Sequence, residues 1–223
     1  MKNYFKLFTL TLCISIFSCS KSDDSGGNGG GGGGLDPQAT YRITFTTNFT
    51  ATTHPTDYPD NASFGRVFLA AHSPGSSIFN IGGVASDGLK QYAEEGDLST
   101  LISEHSGGED NNTMTIVTGS TNVGTSNTVT FDILVTPTTT RISFVSKISP
   151  SPDWFVGVSS FDLVNGNELV ESASVRLYPL DAGSDSGTSY ESPDSPEPGS
   201  ITQIQGLPFS SGCLLYTSDA ADD

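Results

Sequence analysis

The chain has 223 residues, a formal net charge of −16 and an isoelectric point near 4.2. That length holds one domain with a substantial core plus tails, and the acidity excludes binding to nucleic acid or an anionic membrane through a basic face. Only 15 % of residues are charged, beside many Thr, Ser, Gly and Val, a composition of extracellular β-proteins more than of helical cytosolic enzymes. The three cysteines, Cys13, Cys19 and Cys213, lie outside the region 35–205, so that region holds neither a disulfide framework nor a Cys-based zinc site.

The N-terminus reads as an address. Lys2 and Lys6 precede an apolar run over 7–17 that is too short for a good transmembrane span. Ile16-Phe17-Ser18-Cys19 resembles a bacterial lipobox. That resemblance implies that residues 1–18 are a signal peptide, cleaved before Cys19, and that Cys19 is lipidated. Each buried CH₂ of an acyl chain adds about 0.8 kcal/mol, so several chains anchor the protein firmly to the outer membrane. Ser22-Asp23-Asp24 is similar to the surface-export signal of Bacteroidetes lipoproteins, which implies display on the cell surface. Residues 19–40 are rich in Ser, Asp and Gly and are expected to form a flexible tether.

Strands follow. Tyr41, Ile43, Phe45 and Phe49 alternate with Thr, Arg and Asn, the period of a half-buried strand. Val129, Phe131, Ile133 and Val135 repeat it. Met114 with Ile116, Ile142 with Phe144, and Val175 with Leu177 are shorter versions. The near-continuous apolar run over 154–164 suits a strand packed on both faces. Asp60-Asn61, Gly107-Gly108, Pro137 and Asn165-Gly166-Asn167 are turn signals between them.

One segment has helical spacing. Leu89, Tyr92 and Ala93 share a face, with Ser86 placed to cap the N-terminus and Gly96 to stop the helix. Residues 97–104 are expected to form a second short helix with Leu98, Leu101 and Ile102 inward. Many short strands with one or two short helices give an all-β class, an antiparallel β-sandwich. The final residues, CLLYTSDAADD, resemble translated read-through of a sequencing-library adapter. Residues 213–223 are therefore expected to be an artefact, and 206–212 the truncated end of the domain.

The acidic loop LYPLDAGSDSGTSYESP places Asp181 and Asp185 among Gly, Ser and Ala without a Lys or Arg. Such a loop is either a solvated turn or a cation site. It is not an EF-hand, because Ser192 stands at the twelfth position where a Glu is required.

SPSPDWFVGVSSFDL, LYPLDAGSDSGTSYESP and GGVASDGLKQYAEEG together resemble the spondin N-terminal domain, found in animal extracellular-matrix proteins and in secreted bacterial proteins. The resemblance begins near Tyr41, with YRITFTTNFTATTHPTDYP, and runs over 41–205. The family's usual Trp residues are Phe49 and Leu180 here. The family continues into a last strand, so this chain is expected to lack it and to leave an unpaired edge. The resemblance implies an antiparallel β-sandwich with calcium bound at one end, its carboxylate ligands Asp153, Asp181 and Asp185. Calcium takes six to eight oxygens, which carboxylates and carbonyls supply, and carboxylates gathered without a cation repel one another.

Other chemistry is thin. His54, His72 and His105 show no zinc spacing, no nucleophile-elbow sequence occurs, and Glu94 with Glu95 reads as a solvated helix face rather than a glycosidase pair. The resemblance implies a non-enzymatic, calcium-binding adhesion module that engages an extracellular matrix-like protein or a glycan. The alternative is a calcium-scaffolded secreted hydrolase acting on polysaccharide.

Overall fold

The computed structural model describes residues 13–18, 38–106, 114–206 and 208–209. Its strands are β1 (Cys13–Ser18), β2 (Ala39–Thr46), β3 (Ser63–Phe64), β4 (Phe68–His72), β5 (Thr115–Thr118), β6 (Thr128–Val135), β7 (Arg141–Ser149), β8 (Trp154–Asp162), β9 (Val164–Asn165), β10 (Glu168–Leu169), β11 (Ser172–Arg176), β12 (Tyr178–Asp181) and β13 (Thr202–Gln203). Two helices, α1 (Asp87–Glu95) and α2 (Ser99–Ser106), stand between β4 and β5. One sheet has the order β11-β1-β2-β6; the larger has the order β13-β12-β8-β7-β4-β5, with β3 added to β7. Every pairing is antiparallel. This is the all-β sandwich with two short helices that the alternating pattern implies.

The sandwich core follows from period two. Tyr41, Ile43 and Phe45 on β2 and Ile133 and Val135 on β6 are buried against Leu69, Phe144, Val156 and Trp154 of the larger sheet. A second core lies on that sheet's other face, where Phe68, Val145, Phe155 and Leu180 meet Leu89, Tyr92, Ala93 and Leu101 of the helices. The larger sheet is therefore covered on both sides. Its strands β4 and β7 are buried almost throughout, whereas β8 is buried only over its first three residues. The sequence pattern assigns double-sided burial to the run over 154–164. It misses β7, because Ser143, Ser146 and Lys147 interrupt the apolar pattern while being buried themselves.

The cap and stop signals of α1 hold, whereas α2, expected over 97–104, is Ser99–Ser106. The Ser86 side chain accepts from Leu89 N, and Gly96 has a left-handed φ of 79° with its N–H bonded to Tyr92 O. Glu104 of α2 completes the cap: its carboxylate accepts from Gly88 N and from the Ser86 hydroxyl, both at 2.7 Å. The helices touch so closely that a Cβ on Gly88 would stand 2.5 Å from Leu101 N.

In the uncleaved chain residues 13–18, assigned from sequence to a signal peptide, form β1 and bond to β2 on one side and β11 on the other; cleavage before Cys19 would remove this strand. A strand in that slot satisfies two rows of backbone groups at once. Cys19 and residues 213–223 lie outside the described residues. Among the described residues no helix is long and apolar enough to cross a membrane.

Candidate metal centre

The β7–β8 turn delivers Asp153 immediately before β8, and β12 ends on Asp181, which pairs with Trp154 across the sheet. Sheet register thus brings two sequence-distant acids to one end of the same strand pair. The chain then turns at Gly183, whose φ of 70° lies in the left-handed region. A Cβ there would meet Ser200 backbone at 2.6 Å, so glycine is required twice over.

Asp153 is fully buried and organises the loop. Its Oδ2 accepts from Ser184 N at 2.8 Å, Asp185 N at 3.2 Å and the Ser184 hydroxyl at 3.3 Å. Its Oδ1 is buried with no hydrogen-bond partner. Asp181 Oδ1 accepts from Gly183 N at 2.7 Å. Asp185 uses both oxygens, one for Gly187 N at 2.6 Å and the other for Ser195 N at 2.7 Å. The acidic loop is therefore an ordered, hydrogen-bonded turn.

Burial raises the Asp181 carboxyl above its ordinary range, and the negative charge of Asp153 raises it further. The Gly183 N–H opposes this, and Asp185 adds a smaller upward push. The Trp154 indole sits near enough to favour Asp181 ionisation, yet its Nε1 closes no hydrogen bond of ordinary length. The countercharge is Lys147, whose ammonium is buried and donates to Ala93 O and to Ser151 O. Burial lowers Lys147 to about 8, against the pull of Asp153 and Glu94.

The donor chemistry suits a hard cation: carboxylate oxygens, one of them buried and unpartnered, in mutual electrostatic reach. The side chains do not converge into a finished ligand set. Among the described residues no group of three or more His, Cys, Asp and Glu side chains is gathered closely enough to hold one ion. The physical reason lies in Asp185, whose two oxygens are turned to its own loop's N–H groups.

A family model described as Spondin_N matches residues 39–214. The chain belongs to the spondin N-terminal domain family. Spondin-2 of Rattus norvegicus is 38% identical over 164 residues, covering 71% of this chain and 49% of that protein. Spondin-2 of Homo sapiens is 38% identical over 162 residues, 70% of this chain and 49% of that protein. Spondin-1 of Homo sapiens is 34% identical over 168 residues, 71% of this chain and 20% of that protein. The chain spans about half the length of the spondin-2 proteins it matches.

Within this spondin domain, Phe49 and Leu180, the two positions where the resemblance implies a Trp, are both packed. Phe49 is the hub of an aromatic cluster with His54, Tyr58, Phe64, Tyr190 and Phe209, and Leu180 is buried beneath the helices. Glu94 and Glu95 are exposed, as a solvated face requires.

Three features of the spondin domain escape sequence reading. Ser184 and Ser195 meet the aspartates at shortest range through backbone N–H groups, which carry no side-chain signature. Lys147 hides in a buried strand where a lysine ordinarily marks the solvent face. The third is a buried pair: His72 Nε2 lies 2.7 Å from Ser143 Oγ. Nδ1 of the same ring lies 2.9 Å from Ser73 O, and Ser143 Oγ also accepts from Ser160 N. Both side chains are fully buried, so the pair is a packing element.

Proposed function

We propose that this spondin domain is a non-enzymatic, calcium-stapled binding module of adhesion type, acting outside the cell. In this reading lipid on Cys19 holds it to the outer membrane, displayed at the surface, where it engages an extracellular matrix-like protein or a glycan. Family membership supports the extracellular, adhesion-type character. Calcium is supported by one observation above the others: the fully buried Asp153 keeps an oxygen without a partner beside a second carboxylate that burial disfavours.

Asp153 and Asp181 would hold the ion, and Asp185, reoriented from its loop bonds, would complete the carboxylate set. When bound, calcium supplies positive charge beyond that which Lys147 brings to this end of the sheet. The chain's own part is to fix the loop: Ser184 and Asp185 N–H groups orient Asp153, and Gly183 turns the backbone back toward it.

The test is calorimetric titration of calcium into the full chain and into its Asp181→Ala/Asp185→Ala variant, with circular dichroism to verify folding. One saturable site, lost in the variant, is the expected result. A folded wild-type chain giving no heat and no change in melting would leave the aspartates as a hydrogen-bonded turn. The hydrolase alternative is tested by turnover on a polysaccharide panel. The hydroxyl–imidazole pair of Ser143 with His72 is sealed from solvent.

A further inference from the structure

The strand β1 fills a place whose walls and floor belong to the rest of the domain. It stands between β2 and β11 with Ile14 opposite Phe45 and Val175, and Ile16 opposite Ile43 and Ala173. Both neighbours are antiparallel to it, so β2 and β11 run parallel to each other, one strand apart. The floor is the sandwich core: Tyr41, Ile43 and Phe45 are buried there, and Val175 packs against the same cluster. On the outer side Arg42, Ser172 and Ser174 are exposed.

The width of this slot is set without β1. At one end the Tyr41 hydroxyl donates to Val170 O at 2.7 Å, tying β2 to the residues just ahead of β11. At the other end Leu177 is buried, and β11 passes through it directly into β12, which is paired with β8 over four residues. Closing β11 onto β2 would mean a shift of about 4.8 Å, one strand spacing, against both anchors. Without β1, the two walls would present facing rows of backbone N–H and C=O groups, a template for another strand.

We propose that the slot between β2 and β11 is a peptide-binding site, plugged by residues 13–18 in the uncleaved chain and opened by hydrolysis of the peptide bond before Cys19. Its occupant in the mature protein is an extended segment of another polypeptide, aliphatic at two positions two residues apart, added as a strand antiparallel to both walls. Backbone bonds to the two walls give affinity, and the two positions over the core give selectivity. The β1 ladders argue for this occupant, since they already show a strand of that pattern paired on both sides. A second copy of the mature chain has no such segment ahead of β2, because residues 19–38 hold one aliphatic residue, Leu35. The plug works by tethering. A Gly-rich connection keeps an attached segment at millimolar effective concentration, and cleavage removes that advantage. The inference rests on the lipid-anchor reading for the cleavage alone.

The slot is tested on the full chain with a specific protease site placed in the Gly run over 26–34 and cut after folding. The probe is a fluorescent peptide of residues 12–18 carrying Cys13→Ser, followed by anisotropy. Saturable binding to the cut chain is expected, with displacement of the severed fragment and no binding to the uncut chain. A peptide that also carries Ile16→Lys should bind about tenfold more weakly, because it sets a charge over the core. A cut chain that takes no peptide overturns the proposal, whether its walls close on each other, its own later residues fill the slot or the severed fragment stays fixed. So does equal binding of the Ile16→Lys peptide, or equal binding by the uncut chain. The mass of the exported chain separates the two readings. A chain that retains residues 1–18 loses the anchor and the natural opening of the slot, whereas a cleaved chain that takes no peptide keeps the anchor and loses the slot.

Discussion

The helix pair and the aspartate loop both use a carboxylate to meet backbone N–H groups that the chain's curvature leaves free. Glu104 does so with one oxygen while the other accepts from the Ser86 hydroxyl, at the exposed mouth of α1. Asp153 does so with one oxygen, fully buried, beside Asp181, and its other oxygen meets nothing. The first arrangement is complete as it stands. The second holds more negative charge than its donors satisfy, and burial sharpens that imbalance. The difference separates a structural cap from a site that gains by adding a cation.

Acid is the strongest probe, and its largest effect lies outside both regions, at His54, so that effect has to be taken out first. His54 is buried against Phe49 and lowered by desolvation to about 4, from 6.5 when exposed. The unfolded chain then binds a proton that the folded chain refuses. His54 stability is fully present above pH 6.5 and is lost as pH falls toward 4, by as much as about 3 kcal/mol. Urea midpoints measured across that window should slope downward in acid, and His54→Gln should flatten the slope.

At neutral pH the comparison itself can be tested. Calcium at a hundred times its dissociation constant should stabilise the wild type by about 2.7 kcal/mol, and Asp153→Asn should abolish that response. Equal calcium stabilisation of the variant would break the comparison. Gly88→Ala should cost about 2 kcal/mol by overpacking the helix contact, with the calcium response retained. Smallest is Glu104→Gln, which should cost about 1 kcal/mol through weakened capping and again leave the calcium response intact. A calcium response altered by either helix variant would show that the two regions are coupled.

Where local chemistry decides, the sequence is readable. Ser86 and Gly96 bracket α1 because a hydroxyl and a left-handed glycine act within one helical turn. Tyr41, Ile43 and Phe45 declare β2 by parity alone. The meeting of Asp153 with the loop after Asp181 depends on the register of β8 with β12, which no local pattern encodes; it was legible only through the family resemblance. Lys147 and Ser143 mislead for the opposite reason. They are polar at positions that a second packed layer buries, and that layer comes from helices that end 37 or more residues earlier in sequence.

Glu104 carries one more consequence. The N–H of Gly88 finds its acceptor on α2, so the first turn of α1 is closed only when α2 is folded and docked. Neither helix is long enough to persist alone in water. The two should therefore open as one unit in native-state hydrogen exchange, the Gly88 amide reporting the opening of α2 as faithfully as α2's own amides.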